Sequence, residues 1–446
     1  MPNDFLLLVL VSLAHFASIC FLSVRWVTKS PSQRYWPLDI RLLNSAFFTL
    51  LAFQFLFASQ YKSFRIGEQT LNCDESLLVA LQTGNLLCFW LFAGLTELLV
   101  PQAISVGVDR TRQREGRAAR ALFLMVAFLL CGFLFWQIRE LGFFTFIEAV
   151  GARQYKKDAA FVILNASPFL LVASLYLIFK SNSLAWSLGG VSAFTVVAGL
   201  SGGRGNIVSA FLLLLCALLA NGRPPRPFRM FIFGFIPLLV VLQIYTAYVR
   251  YAGFRGQGNQ DIWFETLVES ESFAIWKSVY AVATTSFELP YPFYSLTASL
   301  FFPVPRAAVP FKPEPPSSLF TQFVSPVRFE NTGSEITLSG AGTLIAEFGT
   351  IGGPLLFTIL VACLSALQYR ISMKPSRQIE AFVLYFYVFS LWRSDLFTAS
   401  RILWTYLIVM GMLYAILMVV PPERRAVRIE GERASRSLRR MRARSK

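Results

Sequence analysis

The residues of this chain best suited to chemistry are arginines beside glycines or at the ends of apolar runs. Arg204 lies in Ser201-Gly202-Gly203-Arg204-Gly205-Asn206, between nearly uncharged runs at 184–200 and 207–220. A guanidinium in bilayer hydrocarbon is costly, so we expect Arg204 at a span end or in a wet cavity. It either snorkels to lipid headgroups or belongs to a clamp for a phosphate-bearing ligand, and this stretch alone leaves both interpretations open.

Several other cations fall on the same predicted side of the membrane as Arg204. The planar fork of arginine suits phosphate oxygens, which it often binds in a bidentate manner. We therefore predict an electropositive cavity at headgroup level that would suit a lipid pyrophosphate, although each cation could instead bind a headgroup or a nearby carboxylate. The predicted binding residues are Arg204, Arg250, Arg306, Lys312 and Arg393, with Arg255 and Arg401 as secondary members.

Glu347 is the acidic residue with the clearest chemical potential, because it enters an apolar span near one end, in the stretch 340–349. Carboxylates inside membrane helices are usually functional. Glu347 could be a general base for a sugar hydroxyl or the countercharge of Arg204 or Arg393. Together with Arg204 it is a candidate catalytic residue, and Glu335 and Asp395 are secondary acids.

No pattern in the sequence indicates a metal or a bound cofactor. The chain lacks an Asp-x-Asp motif, a P-loop and a dinucleotide-binding fingerprint. Its six cysteines do not form a disulfide framework or a Cys/His metal pattern, and the single histidine, His15, falls inside an apolar run where we expect a packing role.

The elements that must position these residues are membrane helices. The 446 residues are 55% hydrophobic and 15% charged, and mean hydropathy is +0.55. We predict an all-α polytopic membrane protein built as one helical bundle, whose first run is a retained span rather than a signal peptide. The eleven predicted spans are 4–24, 42–59, 77–100, 120–138, 159–179, 184–200, 206–221, 230–249, 341–367, 380–392 and 398–420.

The distribution of basic residues predicts the orientation of these spans. The net charge of +16 is concentrated in alternate connecting segments and in the C-terminal tail, which the positive-inside rule makes cytoplasmic. This predicts an N-terminus on the outer side and a cytoplasmic C-terminus, with attraction to anionic lipid rather than to nucleic acid. The predicted regions are helices 1–8 over 1–249, a large loop on the outer side over 250–340, helices 9–11 over 341–420 and a basic cytoplasmic tail over 421–446. The resemblance described below makes this outer side the periplasm.

The segment 250–340 is too long for a simple connection, and long ordered loops usually have a function. It is rich in aromatic residues and in proline. Residues 272–287 could form an amphipathic helix at the membrane interface. A hidden pair of spans between about 270 and 302 is the alternative.

Three motifs resemble those of bacterial oligosaccharide repeat unit polymerases, the Wzy-type O-antigen and exopolysaccharide polymerases. Ser201-Gly202-Gly203-Arg204-Gly205 is similar to a small-residue-Arg-Gly signature of that family. Phe302-Pro303-Val304-Pro305-Arg306, followed by Pro310-Phe311-Lys312-Pro313, resembles its Pro-Arg…Pro-x-Lys-Pro loop, although Ala308-Val309 stand where relatives often have an aromatic residue. Residues 340–352, with Ala346-Glu347-Phe348-Gly349, resemble its final-third helix.

The resemblance implies a GT-C-like helical glycosyltransferase of the bacterial inner membrane. It implies transfer of a growing chain between undecaprenyl-pyrophosphate-linked oligosaccharides on the periplasmic side, without a metal or cofactor. Arg204 and Arg306 would then lie near the pyrophosphate and Glu347 near the acceptor. A chain-length regulator and a flippase would be further partners, besides the lipid bilayer.

Three other functions remain open from the sequence. An O-antigen ligase has a similar topology but uses a histidine in its large outer loop, and this chain has only His15. A polysaccharide transporter or flippase usually shows internal repeats and midplane ionisable residues, which this sequence lacks. A non-enzymatic partner in envelope polysaccharide assembly is the third alternative.

Overall fold

The protein is mostly helical. The computed structural model describes residues 2–29, 40–99, 113–142, 160–181, 183–200, 204–220, 275–304, 308–332, 335–372 and 377–419. Strands β1 (Ser63–Ile66) and β2 (Gln69–Asn72) pair as an antiparallel hairpin. The helices are α1 (Pro2–Lys29), α2 (Ile40–Ala58), α3 (Glu75–Leu99), α4 (Gln113–Leu141), α5 (Ala160–Lys180), α6 (Leu184–Leu200), α7 (Arg204–Ala220), α8 (Ile275–Thr284), α9 (Tyr294–Leu300), α10 (Pro316–Val324), α11 (Pro326–Thr332), α12 (Gly340–Ser372), α13 (Gln378–Arg393) and α14 (Leu396–Val419).

Five helices in the described part of the chain are long and apolar enough to cross a bilayer. They are α1, α2, α3, α12 and α14, and their large apolar side chains include many that are exposed on the outside of the bundle. This confirms the expectation of a helical membrane protein. A helix also covers each of the other predicted spans except 230–249, which lies outside the described residues.

The helices pack as two groups joined by α13. Helices α2 and α3 contact each other and both α1 and α12, while α4, α5, α6 and α7 form a second set. Helix α13 touches α2, α5 and α12, and α14 touches α4 and α5. At the centre, the buried Trp392 indole stacks on Phe47 at 5.3 Å and donates to Asn44 Oδ1 at 2.6 Å. Asn44 in turn donates to Ser365 Oγ at 3.0 Å, so α2, α12 and α13 share one polar contact inside the bundle.

One end of the bundle collects the hairpin, the segment 275–339 and the α13–α14 turn. The hairpin lies on α10, because Glu68 N donates to Val324 O at 3.0 Å and Ser325 Oγ donates to Glu68 Oε1 at 3.0 Å. Gly67 adopts a φ of 59° there, and a Cβ atom at this position would lie 2.6 Å from Ser325 Cβ. These three of the predicted outer connections therefore lie together.

The opposite end carries several of the cations predicted to be cytoplasmic. Arg25 pairs with Glu97 at 3.1 Å, joining the ends of α1 and α3. Arg370 donates to Leu99 O at 3.3 Å, and the Arg41 guanidinium lies 5.2 Å from the Tyr369 ring centroid. The segregation of these basic residues from the hairpin end agrees with the alternation used to predict the topology.

Helix α8 differs from the interfacial helix expected at 272–287. Its residues 275, 276 and 278–282 are buried, and the Tyr280 hydroxyl donates to Asn72 O at 2.9 Å. Burial raises the pKa of this phenol above its usual value. Neither α8, with 10 residues, nor α9, with 7, is long enough to span a bilayer, so residues 275–304 hold no hidden pair of spans.

Candidate functional site

Helix α12 is interrupted at Gly349, and this interruption shapes the region of the predicted site. Gly349 has φ 76° and ψ 177°, which places it outside the helical conformation and in a region that favours glycine. After the break the chain folds back against itself. A Cβ atom on Gly353 would lie 2.5 Å from the Ile345 backbone. Only glycine fits this contact without a backbone shift, so the first segment of α12, residues 340–348, crosses closely over the start of the second.

A set of hydrogen-bonded polar groups, which we name the polar junction, lies beside the N-terminus of that first segment. It consists of Ser317, Ser318, Glu335, Leu338 N and Asp395. The Ser317 hydroxyl donates to Asp395 Oδ2 and accepts the N–H of Leu338 at 3.1 Å. The Ser318 hydroxyl donates to Glu335 Oε1 at 2.6 Å. The junction therefore joins α10, the connecting segment 335–339 and the α13–α14 turn.

Asp395 is the most deeply buried member of the polar junction. It is fully buried in the turn outside the spanning helices, and its Oδ1 accepts the N–H of Thr398 at 2.7 Å as a cap for α14. Burial raises the pKa of this carboxyl, the hydrogen bond from Ser317 partly opposes that rise, and the charge of Glu335 adds to it. The two predicted secondary acids, Glu335 and Asp395, are thus close enough to interact.

Glu347 lies on the first segment of α12, as predicted, but its contacts are with backbone. Its Oε1 accepts the N–H of Ser295 at 2.6 Å, at the start of α9. Phe293, which precedes α9, has a φ of 63° and packs its ring against Phe348 at 5.1 Å. Among the described residues Glu347 therefore caps a helix, and the expected pairing with Arg393 is not present.

Lys312 closes the loop that carries the Pro-x-Lys-Pro motif. Its ammonium donates to Phe302 O at 2.9 Å and to Val304 O at 2.8 Å. The Tyr294 hydroxyl donates to Glu314 O at 3.0 Å and holds the following residues near α9. Both of these hydrogen bonds go to backbone carbonyls, and binding of Lys312 to a pyrophosphate stays a prediction.

The structure describes the remaining predicted cations in part. The half-buried Arg393 guanidinium lies 5.3 Å from the Phe389 ring centroid at the end of α13, and the half-buried Arg401 lies in α14. The backbone of Arg204 begins α7, as the span boundary predicted, while its side chain is outside the description. Arg250, Arg255 and Arg306 lie outside the described residues. Convergence of guanidiniums on a pyrophosphate therefore remains a prediction.

A cavity of about 760 Å³ lies on another side of the first segment of α12. We name it the α3–α12 cavity. Its walls are almost wholly apolar, and the exposed Leu87, Ile351 and Leu355 stand at its lateral opening between the two helices. Asn85 and Thr358 are among its few polar residues. Its lining includes Phe48, Leu51, Leu77, Leu81, Gly84, Cys88, Val279, Ala283, Ala341 and Ile345.

Such a cavity has the size and character of a site for an apolar ligand. Pockets for small molecules occupy roughly 300–1,000 Å³ and are lined mainly by apolar side chains with few polar groups. Because the opening faces the outside of the bundle, a hydrocarbon chain could enter from the bilayer without crossing a polar surface.

Sequence reasoning missed Ser317, Tyr294 and the residues of the α3–α12 cavity. Pro315-Pro316 signals the start of a helix, because proline suits its first turn. Gly349-Thr350-Ile351-Gly352-Gly353-Pro354 likewise signals a break in an apolar run. No sequence signal identifies the partner of either feature, since both depend on distant segments.

Comparison with known proteins adds no assignment, because no protein-family model, no curated protein and no solved structure matches this chain.

Proposed function

We propose that this protein is a membrane glycosyltransferase of the GT-C kind with eleven spans. It polymerises undecaprenyl-pyrophosphate-linked oligosaccharide repeat units into O-antigen or exopolysaccharide at the periplasmic face of the bacterial inner membrane. The proposal rests on the resemblance of three motifs and their order along the chain. The structure adds two supporting features, which are the grouping of the outer connections at one end and the α3–α12 cavity.

The cavity is the observation that carries the proposal furthest. A polyprenyl carrier is a long hydrocarbon with a charged head, so its enzyme needs an apolar site beside a polar one. The α3–α12 cavity is bounded by Ala341 and Ile345, on the same short segment whose other side holds Glu347. This arrangement supports a carrier tail on one side of residues 340–348 and chemistry on the other.

In the proposed reaction an acceptor hydroxyl attacks the anomeric carbon of the chain on its carrier. A new glycosidic bond forms, the bond to the pyrophosphate breaks, and the carrier pyrophosphate leaves with the electron pair. Glu347 would take the hydroxyl proton as general base. Fixed cations, Arg204 and Arg306 first among them, would stabilise the leaving group.

The role of Glu347 can be tested because capping and catalysis require different properties. Glu347→Gln keeps an oxygen that can accept the N–H of Ser295, but the amide cannot act as a base. We expect this variant to reach the membrane with normal thermal stability and to produce no long polymer in a strain whose own copy is deleted. Normal polymer from Glu347→Gln would leave capping as its only role.

The cavity is tested by a matched pair of glycine substitutions on α3. Gly84 lines the cavity and Gly94 does not, and a Cβ atom at either position meets nothing within 4 Å. Leucine at either site should gain helix propensity of up to about 1 kcal/mol over glycine. We expect Gly84→Leu to shorten or abolish the polymer ladder and Gly94→Leu to leave it unchanged. Equal ladders in the two strains would contradict the use of this cavity by the carrier.

A transporter of lipid-linked saccharides is a second candidate, favoured by the break in α12. Discontinuous helices at substrate sites are common in transporters, and Gly349 creates one here. The intermediate that accumulates in the deletion strain separates the functions. A single repeat on its carrier at the periplasmic face indicates a polymerase, a repeat retained at the cytoplasmic face indicates a transporter, and finished polymer on the carrier indicates a ligase.

A further inference from the structure

Helix α9 presents an apolar face that no described part of the protein covers. Phe293, Leu296 and Leu300 are 58%, 48% and 61% exposed. Their spacing places them on one side of the helix. Residues 289–305 contain no charged side chain at all. A surface in water would normally interrupt such a run with charges.

The contacts of α9 place it beside spanning helices rather than above them. Its Ser299 carbonyl accepts the indole N–H of Trp404 at 2.9 Å. Trp404 follows Leu396, the first residue of α14, by eight positions. At ~1.5 Å per residue this is about 12 Å along the axis of α14. The rings of Phe302 and Phe397 pack at 5.2 Å, so the chain returns toward the start of α14 immediately after α9.

Several polar groups of α9 are paired within the protein, and the Ser295 hydroxyl, which has no hydrogen-bond partner among the described residues, is buried away from the exposed face. Unpaired backbone groups are not tolerated in hydrocarbon. Glu347 accepts the N–H of Ser295 at the start of the helix. The hydroxyls of Thr297 and Ser299 donate back to carbonyls of the same segment, at 3.1 Å and 2.6 Å. The exposed face therefore offers methyl groups and aromatic carbon without unpaired donors.

We propose that residues 289–304 form a re-entrant element whose helix α9 lies in the hydrocarbon of the leaflet at the hairpin end, with phospholipid acyl chains against Phe293, Leu296 and Leu300. The exposed face adjoins the lipid-facing surface of α12, since Phe293 packs against Phe348 and the exposed Ile351 follows. A patch of three apolar residues is small for the binding site of a protein partner. As a continuation of the lipid-facing surface of α12, its size needs no partner. This inference does not depend on the proposed enzymatic activity.

The placement is tested with an environment-sensitive fluorophore. All six cysteines are free and can be replaced. Single cysteines are then introduced as Leu300→Cys and Leu296→Cys, labelled with NBD and reconstituted in phosphatidylcholine–phosphatidylglycerol vesicles. Val327→Cys is the matched control, because Val327 is an apolar residue at the same end of the molecule that is 56% exposed, and Glu330 follows it in the same helix.

We expect NBD at 296 and 300 to emit at shorter wavelength than NBD at 327. Doxyl groups on the lipid chains should quench it several-fold more strongly than at 327, whereas aqueous iodide should quench only position 327. Iodide quenching at 300 equal to that at 327 would place α9 in water and overturn the proposal. Protection from both quenchers would show a protein partner or a second copy on this face, which also overturns it. The two positions give independent readings if one variant fails to fold.

Discussion

The polar junction lies just before the first segment of α12 and the α3–α12 cavity is lined by that segment, yet the two are built in opposite ways. In the junction the groups meet at hydrogen-bonding distance, and Asp395 is fully buried with two donors. In the cavity about 760 Å³ is left unfilled by the side chains around it. The cavity opens to the outside of the bundle beside the exposed Leu87 and Ile351, so it is a cleft between helices. The difference indicates that the junction joins distant parts of the fold, whereas the cavity leaves room beside the same helix segment.

We therefore expect residues of the polar junction to stabilise the fold and residues of the α3–α12 cavity to bind a ligand. Changes in the junction should lower the free energy of unfolding, and changes that fill the cavity should alter activity while leaving stability intact. The Gly84→Leu and Gly94→Leu pair tests the second half of that statement. Two predictions at Asp395 test the first half, and one at Gly353 tests the fold-back of α12.

The largest effect is expected from Asp395→Ala. The substitution removes the acceptor for the Ser317 hydroxyl and for the N–H of Thr398. Hydrogen bonds to charged groups contribute roughly 1.5–3 kcal/mol each, and loss of a helix cap costs about 1 kcal/mol. We expect the free energy of unfolding to fall by about 3 kcal/mol or more.

Thermal unfolding of the detergent-solubilised protein, followed by size-exclusion chromatography after heating, measures this loss. Asp395→Asn is the control, because its amide oxygen still accepts one N–H, and it should lose less. Equal melting temperatures for wild type and Asp395→Ala would show that the junction does not stabilise the fold.

A smaller loss is expected from Gly353→Ala, which tests the fold-back that borders both regions. The added methyl would lie 2.5 Å from the Ile345 backbone, which cannot rotate away. Overpacking of this kind typically costs about 1–3 kcal/mol. Gly94→Ala is the control, because it adds the same methyl group at a position where a Cβ atom would meet nothing within 4 Å. This substitution should leave the stability unchanged or raise it. The same unfolding assay compares them, and an unchanged melting temperature for Gly353→Ala would contradict the close crossing at Gly349.

The smallest effect is a pH dependence that arises from Asp395. Its pKa is raised above the usual value of 3.8, so the folded state binds a proton more readily than the unfolded state. Binding of this proton adds to the free energy of unfolding. The added stability is fully present below pH 3.8 and is lost as the pH rises through the pKa of Asp395 in the folded state. We expect the melting temperature of wild type, relative to Asp395→Asn, to rise on acidification toward that value. A parallel pH profile for the two proteins would remove Asp395 as the cause.

The sequence by itself determined which parts of the chain are membrane helices and which connections share an end. Apolar runs of sufficient length predict helices at 4–24, 42–59, 77–100, 341–367 and 398–420, and the structure has α1, α2, α3, α12 and α14 there. The hairpin, the segment around α10 and the turn at Asp395 were likewise expected on one face, and they contact one another. These features follow from local hydropathy and from counting crossings, which require no knowledge of side-chain partners.

Tertiary structure alone decided what the chemically interesting residues touch. The position of Glu347 in the sequence allowed two roles, a general base or a countercharge. In the structure its carboxylate accepts the N–H of Ser295, which is 52 positions away. Ser317 and Asp395 are 78 positions apart, and neither residue type predicts the other. The cavity is lined by residues far apart in sequence, among them Phe48, Gly84, Val279 and Ile345. Each of these contacts depends on how segments that are distant in sequence pack together. The hydrophobic effect places helices in the bilayer, but their packing against one another decides which polar groups meet.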